Sequence, residues 1–295
     1  MKIMGIVNVT PDSFSDSIRL YDEKGVHNMD AILNLIQHMI EDGADIIDIG
    51  GESTRPGASE VSADEELNRV IPVIEAVHQR FDIPISLDTY KALVAKEGIK
   101  SGASIINDIG MARKDPLMAD VIVSAGCKYI LVDNNEYYVN DDMVNNNINY
   151  VNDDIVNNNM NYVNNNAVDD NCNYVNKYMS CFYQLQYAAQ ELMSKGVLKE
   201  NIILDPGVGF GKTYEQNLEA IRRVPELCKF GYETLLGVSN KSVIGNTLKL
   251  PVDERLEGTL ATTAWAMMSG GTYVRVHDVK ANARLIKMLD AIIRQ

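Results

Sequence analysis

Polar residues close one apolar run after another along this chain: Asn8, Asp48, Asp88, Asn107-Asp108, Asp205, Ser239 and His277. Three of them form a chemically coherent group. Asp88 and Asp205 offer carboxylate acceptors, and Asn107 offers an amide that both donates and accepts. Such a set suits a flat heterocycle with several N–H and C=O groups, whose polar edges must all be satisfied in a buried site. Taken singly, each residue would serve equally well as the cap of a following helix.

A second group suits an anion. Ser239-Asn240-Lys241-Ser242 runs into a helical pattern. Ser242 and the first N–H groups of that helix make an anion site, to which Lys241 adds charge. Further on stands Arg275-Val276-His277, where strand alternation puts Arg275 and His277 on one face. That pair would grip a phosphate or pyrophosphate. The alternative for Arg275 is pairing with a structural acid. Between the two groups, Asp205-Pro206-Gly207-Val208-Gly209-Phe210-Gly211-Lys212 is a glycine-rich turn without the full dinucleotide fingerprint. It lets the backbone approach a ligand closely, with Phe210 as an apolar wall.

Two long polar segments complete the inventory. Residues 8–16 (NVTPDSFSD) and 50–57 (GGESTRPG) exceed most short strand-to-helix connections and read as mobile lids. Asn8, Asp12 and Asp16 supply oxygen atoms suited to Mg²⁺, and Arg55 suits a carboxylate or phosphate.

These residues need a scaffold that brings distant strand ends together. The strand patterns cover Lys2–Asn8, Asp45–Ile49, Pro84–Leu87, Ser104–Asn107, Lys128–Val132, Ile202–Asp205, Thr234–Val238 and Thr272–Val276. Helical periodicity fills the gaps, at Ala31–Ile40, Leu67–Val77, Ala92–Ser101, Met118–Ala125, Gln184–Met193, Asn217–Leu227, Gly258–Met268 and Ala281–Ile293. Alternation of this kind is the grammar of a parallel α/β protein. Polar residues at the ends of so many strands favour a (β/α)8 TIM barrel over an open sheet, which would gather them at one or two switch points.

The middle of the chain breaks the pattern. Tyr-Val-Asn recurs at 138, 150, 162 and 174, a period of 12 residues rich in Asn and Asp and free of Lys and Arg over 138–173. Few large aliphatic side chains are available there to offset ordering entropy, so a flexible low-complexity loop is expected rather than a small solenoid. Read as an insertion after strand five, it leaves about 260 residues in one barrel domain, close to the ~250 typical of this fold. The whole chain of 295 residues is 46% apolar with a net charge of −14. That charge argues against nucleic acid and against an anionic membrane as partners. There is no apolar run long enough to span a bilayer, no signal-like N-terminus and no metal spacing among the four cysteines, so a cytoplasmic protein with reduced thiols is expected.

Read together, VNVTPDSFSD (7–16), DIGGESTRPG (48–57), ISLDTYK (85–91), INDI (106–109), DPGVGFGK (205–212), GVSNKSVIG (237–245) and RVHDV (275–279) resemble the dihydropteroate synthase family, the sulfonamide targets of folate biosynthesis. The resemblance implies condensation of 6-hydroxymethyl-7,8-dihydropterin pyrophosphate with 4-aminobenzoate by an SN1-like path, with Mg²⁺, in a homodimer. It implies that Asp88, Asn107, Asp205 and Lys241 hold the pterin, and that Asn8, Arg275 and His277 hold the pyrophosphate with the metal. It places Phe14, Asp16, Thr54, Arg55, Pro56, Gly209, Phe210, Lys241 and Ser242 around 4-aminobenzoate. Three departures stand out. Asn240 replaces an arginine, Leu131-Val132-Asp133-Asn134 replaces a Met-His-Met segment, and Asp16-Ser17-Ile18 replaces Asp-Gly-Gly. Two rival readings share the barrel: a methyltetrahydrofolate-type pterin methyltransferase, and a catalytically weak pterin-binding paralogue.

Overall fold

A computed structural model describes residues 1–10, 28–53, 58–134 and 171–293, with the backbone alone over 171–181. Eight strands form a closed barrel in sequence order: β1 (Lys2–Asn8), β2 (Ile46–Gly50), β3 (Ile85–Asp88), β4 (Ile105–Asp108), β5 (Lys128–Val132), β6 (Ile202–Asp205), β7 (Glu233–Leu236) and β8 (Tyr273–Val276). Every pairing is parallel, and β8 returns to β1 through Lys2↔Tyr273 to Gly5↔Val276. The expected TIM barrel is therefore the fold, with strand bounds within a residue or two of the sequence reading.

Alternation divides each strand between two cores. Met4, Ile46, Ile105, Ile130, Val132, Ile203, Leu235 and Tyr273 fill the barrel. Their neighbours Ile3, Ile47, Ile49, Ile85, Leu87 and Leu204 face outward to a larger core beneath the helices. Strands buried on both faces carry few polar residues, which is why the apolar runs were legible. At the N-terminal rim Lys128 pairs with Glu233, and the Tyr273 hydroxyl donates to Glu233 Oε2 at 3.0 Å. Polar groups thus seal one end and leave chemistry to the other.

The outer helices are α1 (Met29–Glu41), α2 (Ala63–Arg80), α3 (Ala92–Lys100), α4 (Met118–Ala125), α5 (Asn171–Ser194), α6 (Tyr214–Arg222), α7 (Val224–Cys228), α8 (Ser242–Leu248), α9 (Leu256–Met268) and α10 (Val279–Ile293). Caps explain several boundaries. The Asn28 side chain accepts from Ala31 N at the start of α1, and the Ser62 hydroxyl accepts from Glu65 N at the start of α2. Thr213 and Gln216 form a reciprocal capping box on α6. The sequence reading joined 217–227 into one helix, but the structure breaks it at Arg223. Pro225 lacks an N–H and fits only the first turn of a new helix. It also began the helix after the repeats at Gln184, whereas α5 starts at Asn171 and takes in the last three residues of 138–173. The remaining repeat residues lie outside the described residues. Among the described residues no helix is long and apolar enough to cross a membrane.

Candidate active site

Register carries the polar residues to one rim. Asn8 lies opposite Gly50, Gly50 opposite Asp88, and Asp88 opposite Asn107, around three consecutive pairings. Across the barrel Val132 stands opposite Asp205. Asp88, Asn107 and Asp205 are all buried. Two small residues keep space between them. A Cβ on Gly50 would lie 3.6 Å from Asn8 Oδ1 and 3.7 Å from Asp88 Oδ2. One on Gly237 would lie 3.7 Å from Arg275 Cβ and 3.8 Å from Asp205 Oδ2.

Arg275 joins the acids. Its Nε donates to Asp48 Oδ2 at 2.6 Å, and its Nη2 donates to Asp88 Oδ2 at 2.8 Å. Asn107 Nδ2 also reaches Asp48 Oδ2 at 3.5 Å. Asp48 is fully buried, and its Oδ1 has no hydrogen-bond partner among the described residues. Arg275 is thus both directed into the mouth and paired with acids, which combines the two readings its sequence position allowed. From the sequence alone Asp48 is a strand-end residue with no assigned role. The signal that finds it is charge balance, because an inward-facing arginine needs a buried acid beside it.

On the far side the Asp205 Oδ1 accepts from Gly207 N at 2.7 Å. Lys241 donates to the Val208 carbonyl, and its Nζ lies 4.5 Å from the Phe210 ring centroid. The side chain of Lys241 comes within 3.1 Å of the Cβ position on Gly209. Ser242 opens the seven-residue α8 and is exposed. Ser239 Oγ accepts from the His277 main-chain N–H at 3.1 Å and sits 2.9 Å from Nδ1, which sets the orientation of that ring. Asn240, in place of an arginine, adopts φ +57, and its carbonyl accepts from Arg255 Nη1 at 2.8 Å. Asparagine tolerates this left-handed backbone well. The structure therefore brings Asn8, Asp88, Asn107, Asp205, Gly209, Phe210, Lys241, Arg275 and His277 to one end of the barrel. Phe14, Asp16, Thr54, Arg55 and Pro56 lie outside the described residues.

Burial shapes the charges. It pushes the Asp88 carboxyl up to about 7, against the pull of Arg275 and with help from Asp48. It raises Asp205 as well, opposed chiefly by Lys241. It lowers Lys241 to about 8, with Asp205 resisting and Arg275 and Lys212 reinforcing. Burial also works against the Arg275 cation, but Asp48 and Asp88 outweigh it and hold the guanidinium charged. Buried acids and cations with shifted pKa values, facing one opening, mark a binding site with electrostatic work to do.

A second knot stands behind the mouth. Lys91 Nζ donates to Glu66 Oε2 at 2.5 Å and to Glu52, while Arg69 Nη1 donates to the Gly51 carbonyl at 2.8 Å. Burial raises the Glu66 carboxyl despite Lys91, and Glu66 Oε1 has no partner among the described residues. This knot ties the start of the 50–57 segment to α2 and to the start of α3. Lys91→Met is expected to cost about 3 kcal/mol, because removing one member of a buried ionic network leaves the others uncompensated. Denaturant midpoints of Lys91→Met and Lys91→Met/Glu66→Gln check this, with the second recovering part of the loss.

Among the described residues no group of three or more His, Cys, Asp or Glu side chains is placed to hold a metal ion. The described oxygen that the sequence reading offered to a cation is Asn8 Oδ1, beside the open space at Gly50. Such a rim suits Mg²⁺ that is held mainly by substrate phosphates and water, the usual way this ion binds.

The chain is similar to known proteins over nearly its whole length. Residues 4–277 match the family model described as pterin binding enzyme. The dihydropteroate synthase of Clostridium beijerinckii is 44% identical, with 99% of this chain and 94% of that protein covered. That of Bacillus subtilis is 43% identical, covering 99% and 89%. Among solved structures, a Clostridium difficile dihydropteroate synthase determined in the presence of pteroic acid is 44% identical with a TM-score of 0.80, covering 100% of this chain and 97% of that one. A Xanthomonas albilineans dihydropteroate synthase with 4-aminobenzoic acid is 31% identical with a TM-score of 0.79, covering 99% and 92%.

Proposed function

The chain belongs to the dihydropteroate synthase family of pterin binding enzymes, and from that premise we propose that it condenses 6-hydroxymethyl-7,8-dihydropterin pyrophosphate with 4-aminobenzoate. The products are 7,8-dihydropteroate and pyrophosphate. One observation carries the reading: Arg275 bonds Asp48 and Asp88 at the same barrel end that holds Asn107, Asp205 and Lys241. That end combines acceptors for an N–H-rich ring with cations for a leaving anion.

In this reading Asp88, Asn107, Asp205 and Lys241 bind the pterin edge. Arg275 and His277 bind the pyrophosphate, with Asn8 and substrate oxygens around Mg²⁺. The metal, when bound, neutralises charge on the leaving group. Pyrophosphate departs first, and the paired acids around the ring favour the positive charge that develops on the substrate. The amine of 4-aminobenzoate then adds from the loop side. Gly209, Phe210 and Ser242 line that side, joined by Phe14 and Asp16 of the first loop and Thr54, Arg55 and Pro56 of the second. Preorganised charges and proximity supply the acceleration without a covalent enzyme intermediate. On the same premise the chain is one pterin-binding domain interrupted by the repeats. It works as a cytoplasmic homodimer, with neither nucleic acid nor membrane as partner.

The pH dependence follows from two groups. Asp88 must be ionised to accept from the ring, and Lys241 must carry its proton to attract an anionic substrate. The pKa values of about 7 and about 8 then bound kcat/KM. It rises as pH passes the first, falls above the second, and forms a narrow bell. A profile flat from pH 6 to 9 would contradict these roles. The reading as a whole is tested by incubating the protein with both substrates and Mg²⁺. Dihydropteroate and pyrophosphate should accumulate in equal amounts, and pyrophosphate released as fast without 4-aminobenzoate would refute a synthase.

A further inference from the structure

Lys212 closes the glycine-rich turn that leaves β6, and nothing in the chemistry above uses it. Its side chain is 3% exposed, and that of Asp133, just past β5, is 2% exposed. The ammonium lies 3.0 Å from Asp133 Oδ2. It also donates to the main-chain carbonyls of Asp133 at 2.8 Å, Gly207 at 3.1 Å and Phe210 at 3.4 Å. One nitrogen thus joins the end of β5 to two points of the β6 turn.

The surrounding geometry leaves little freedom. Asp133 N donates to the Asp205 carbonyl at 3.0 Å. Gly207 adopts φ +62, and a Cβ there would fall 1.6 Å from the Asp133 carbonyl oxygen, so glycine alone lets the two segments meet. The same turn supplies Gly207 N to Asp205 Oδ1, the Val208 carbonyl to Lys241, and the Phe210 ring beneath that lysine. Alternation along β5 turns Val132 into the barrel beside Asp205 and points Asp133 the other way. The Asp133 carboxylate therefore faces Lys212.

We infer that Lys212 is a positioning residue, which through its buried pairing with Asp133 and its three carbonyl contacts holds the 205–212 turn so that Asp205 and Lys241 meet the ligand. The inference rests on reading the mouth as the pterin site. Where the family carries Met-His-Met, this chain places at Asp133 the acid that pairs with Lys212.

Lys212 acts on charge as well as on shape. Lys241 faces Asp205, Arg275, Lys212 and Asp88, and Lys212 is one of the cations that oppose its protonation. Lys212→Met in the full chain should therefore raise the KM for the pterin substrate about 10- to 100-fold, the usual price of a displaced binding group. It should also speed amide exchange across 205–211 and move the alkaline limb of kcat/KM upward. Asp133→Asn should raise KM too, by leaving the lysine unpaired. Lys212→Met/Asp133→Asn should recover most of the loss, because no buried charge then stands alone. Lys212→Arg keeps the charge and the wild-type alkaline limb, but a planar fork cannot bring one nitrogen to three carbonyls, so KM stays high. A folded Lys212→Met variant with wild-type KM and wild-type exchange over 205–211 overturns the inference. A double variant no better than Lys212→Met overturns it as well. The exchange measurement needs no substrate. Failure of the wild-type protein to form product would count against the functional reading and leave exchange to decide this one.

Discussion

Replacing Arg275 by methionine should lower kcat/KM about a thousandfold, the scale seen when a preorganised donor to a developing anion is removed. The guanidinium contacts both Asp48 and Asp88 at the mouth, through separate nitrogens at 2.6 and 2.8 Å. Its loss removes the charge that meets the leaving pyrophosphate and leaves two buried carboxylates facing each other. Stability should fall too, by about 3 kcal/mol or more. Arg275→Lys should rescue little, because one ammonium cannot reproduce two divergent N–H bonds. Arg275→Met/Asp48→Asn separates the two effects. It should regain thermal stability while activity stays low, which steady-state kinetics and melting curves on the three variants will check.

Asp88→Asn should behave in the opposite sense on stability. Activity should fall about a hundredfold or more, because an amide can present an N–H where the pterin edge needs an acceptor. The fold should nevertheless gain stability at alkaline pH. Burial lifts the Asp88 carboxyl from 3.8 to about 7, with Asp48 adding to the lift and Arg275 opposing it. A carboxyl raised in the folded state favours folding fully below its ordinary value, and that contribution disappears as pH climbs through about 7. Wild-type protein therefore carries a cost at pH 8 that Asp88→Asn lacks. The melting temperature of the variant should exceed wild type at pH 8 and match or fall below it at pH 5. The acid limb of kcat/KM should disappear in the same variant. A melting difference that does not change with pH would show that Asp88 is not the titrating group.

Much of this site was legible because barrels write their chemistry at strand ends. Runs such as Lys128–Val132 and Ile202–Asp205 are apolar on both faces, so the first polar residue after them marks the rim. The spacing of Arg275 and His277 gave their common face for the same reason. Asp48 was harder, since its role depends on an arginine more than two hundred residues away. Lys212 looked like the end of a glycine motif, and its burial depends on Asp133 on another strand. Linear patterns show which face a residue takes, but not the long-range partner that makes a buried charge tolerable. The break at Arg223 was readable from Pro225, yet the continuous apolar spacing over 217–227 masked it. The start of α5 was hidden by repeats whose composition carries no helical stripe.

The most direct measurement is a crystal structure with the dihydropterin pyrophosphate, or a non-hydrolysable analogue, bound. The ring should lie among Asp88, Asn107, Asp205 and Lys241, with phosphate oxygens at Arg275, His277 and Asn8. A ligand seated instead at the Lys128–Glu233 rim, or outside the barrel, would contradict the account.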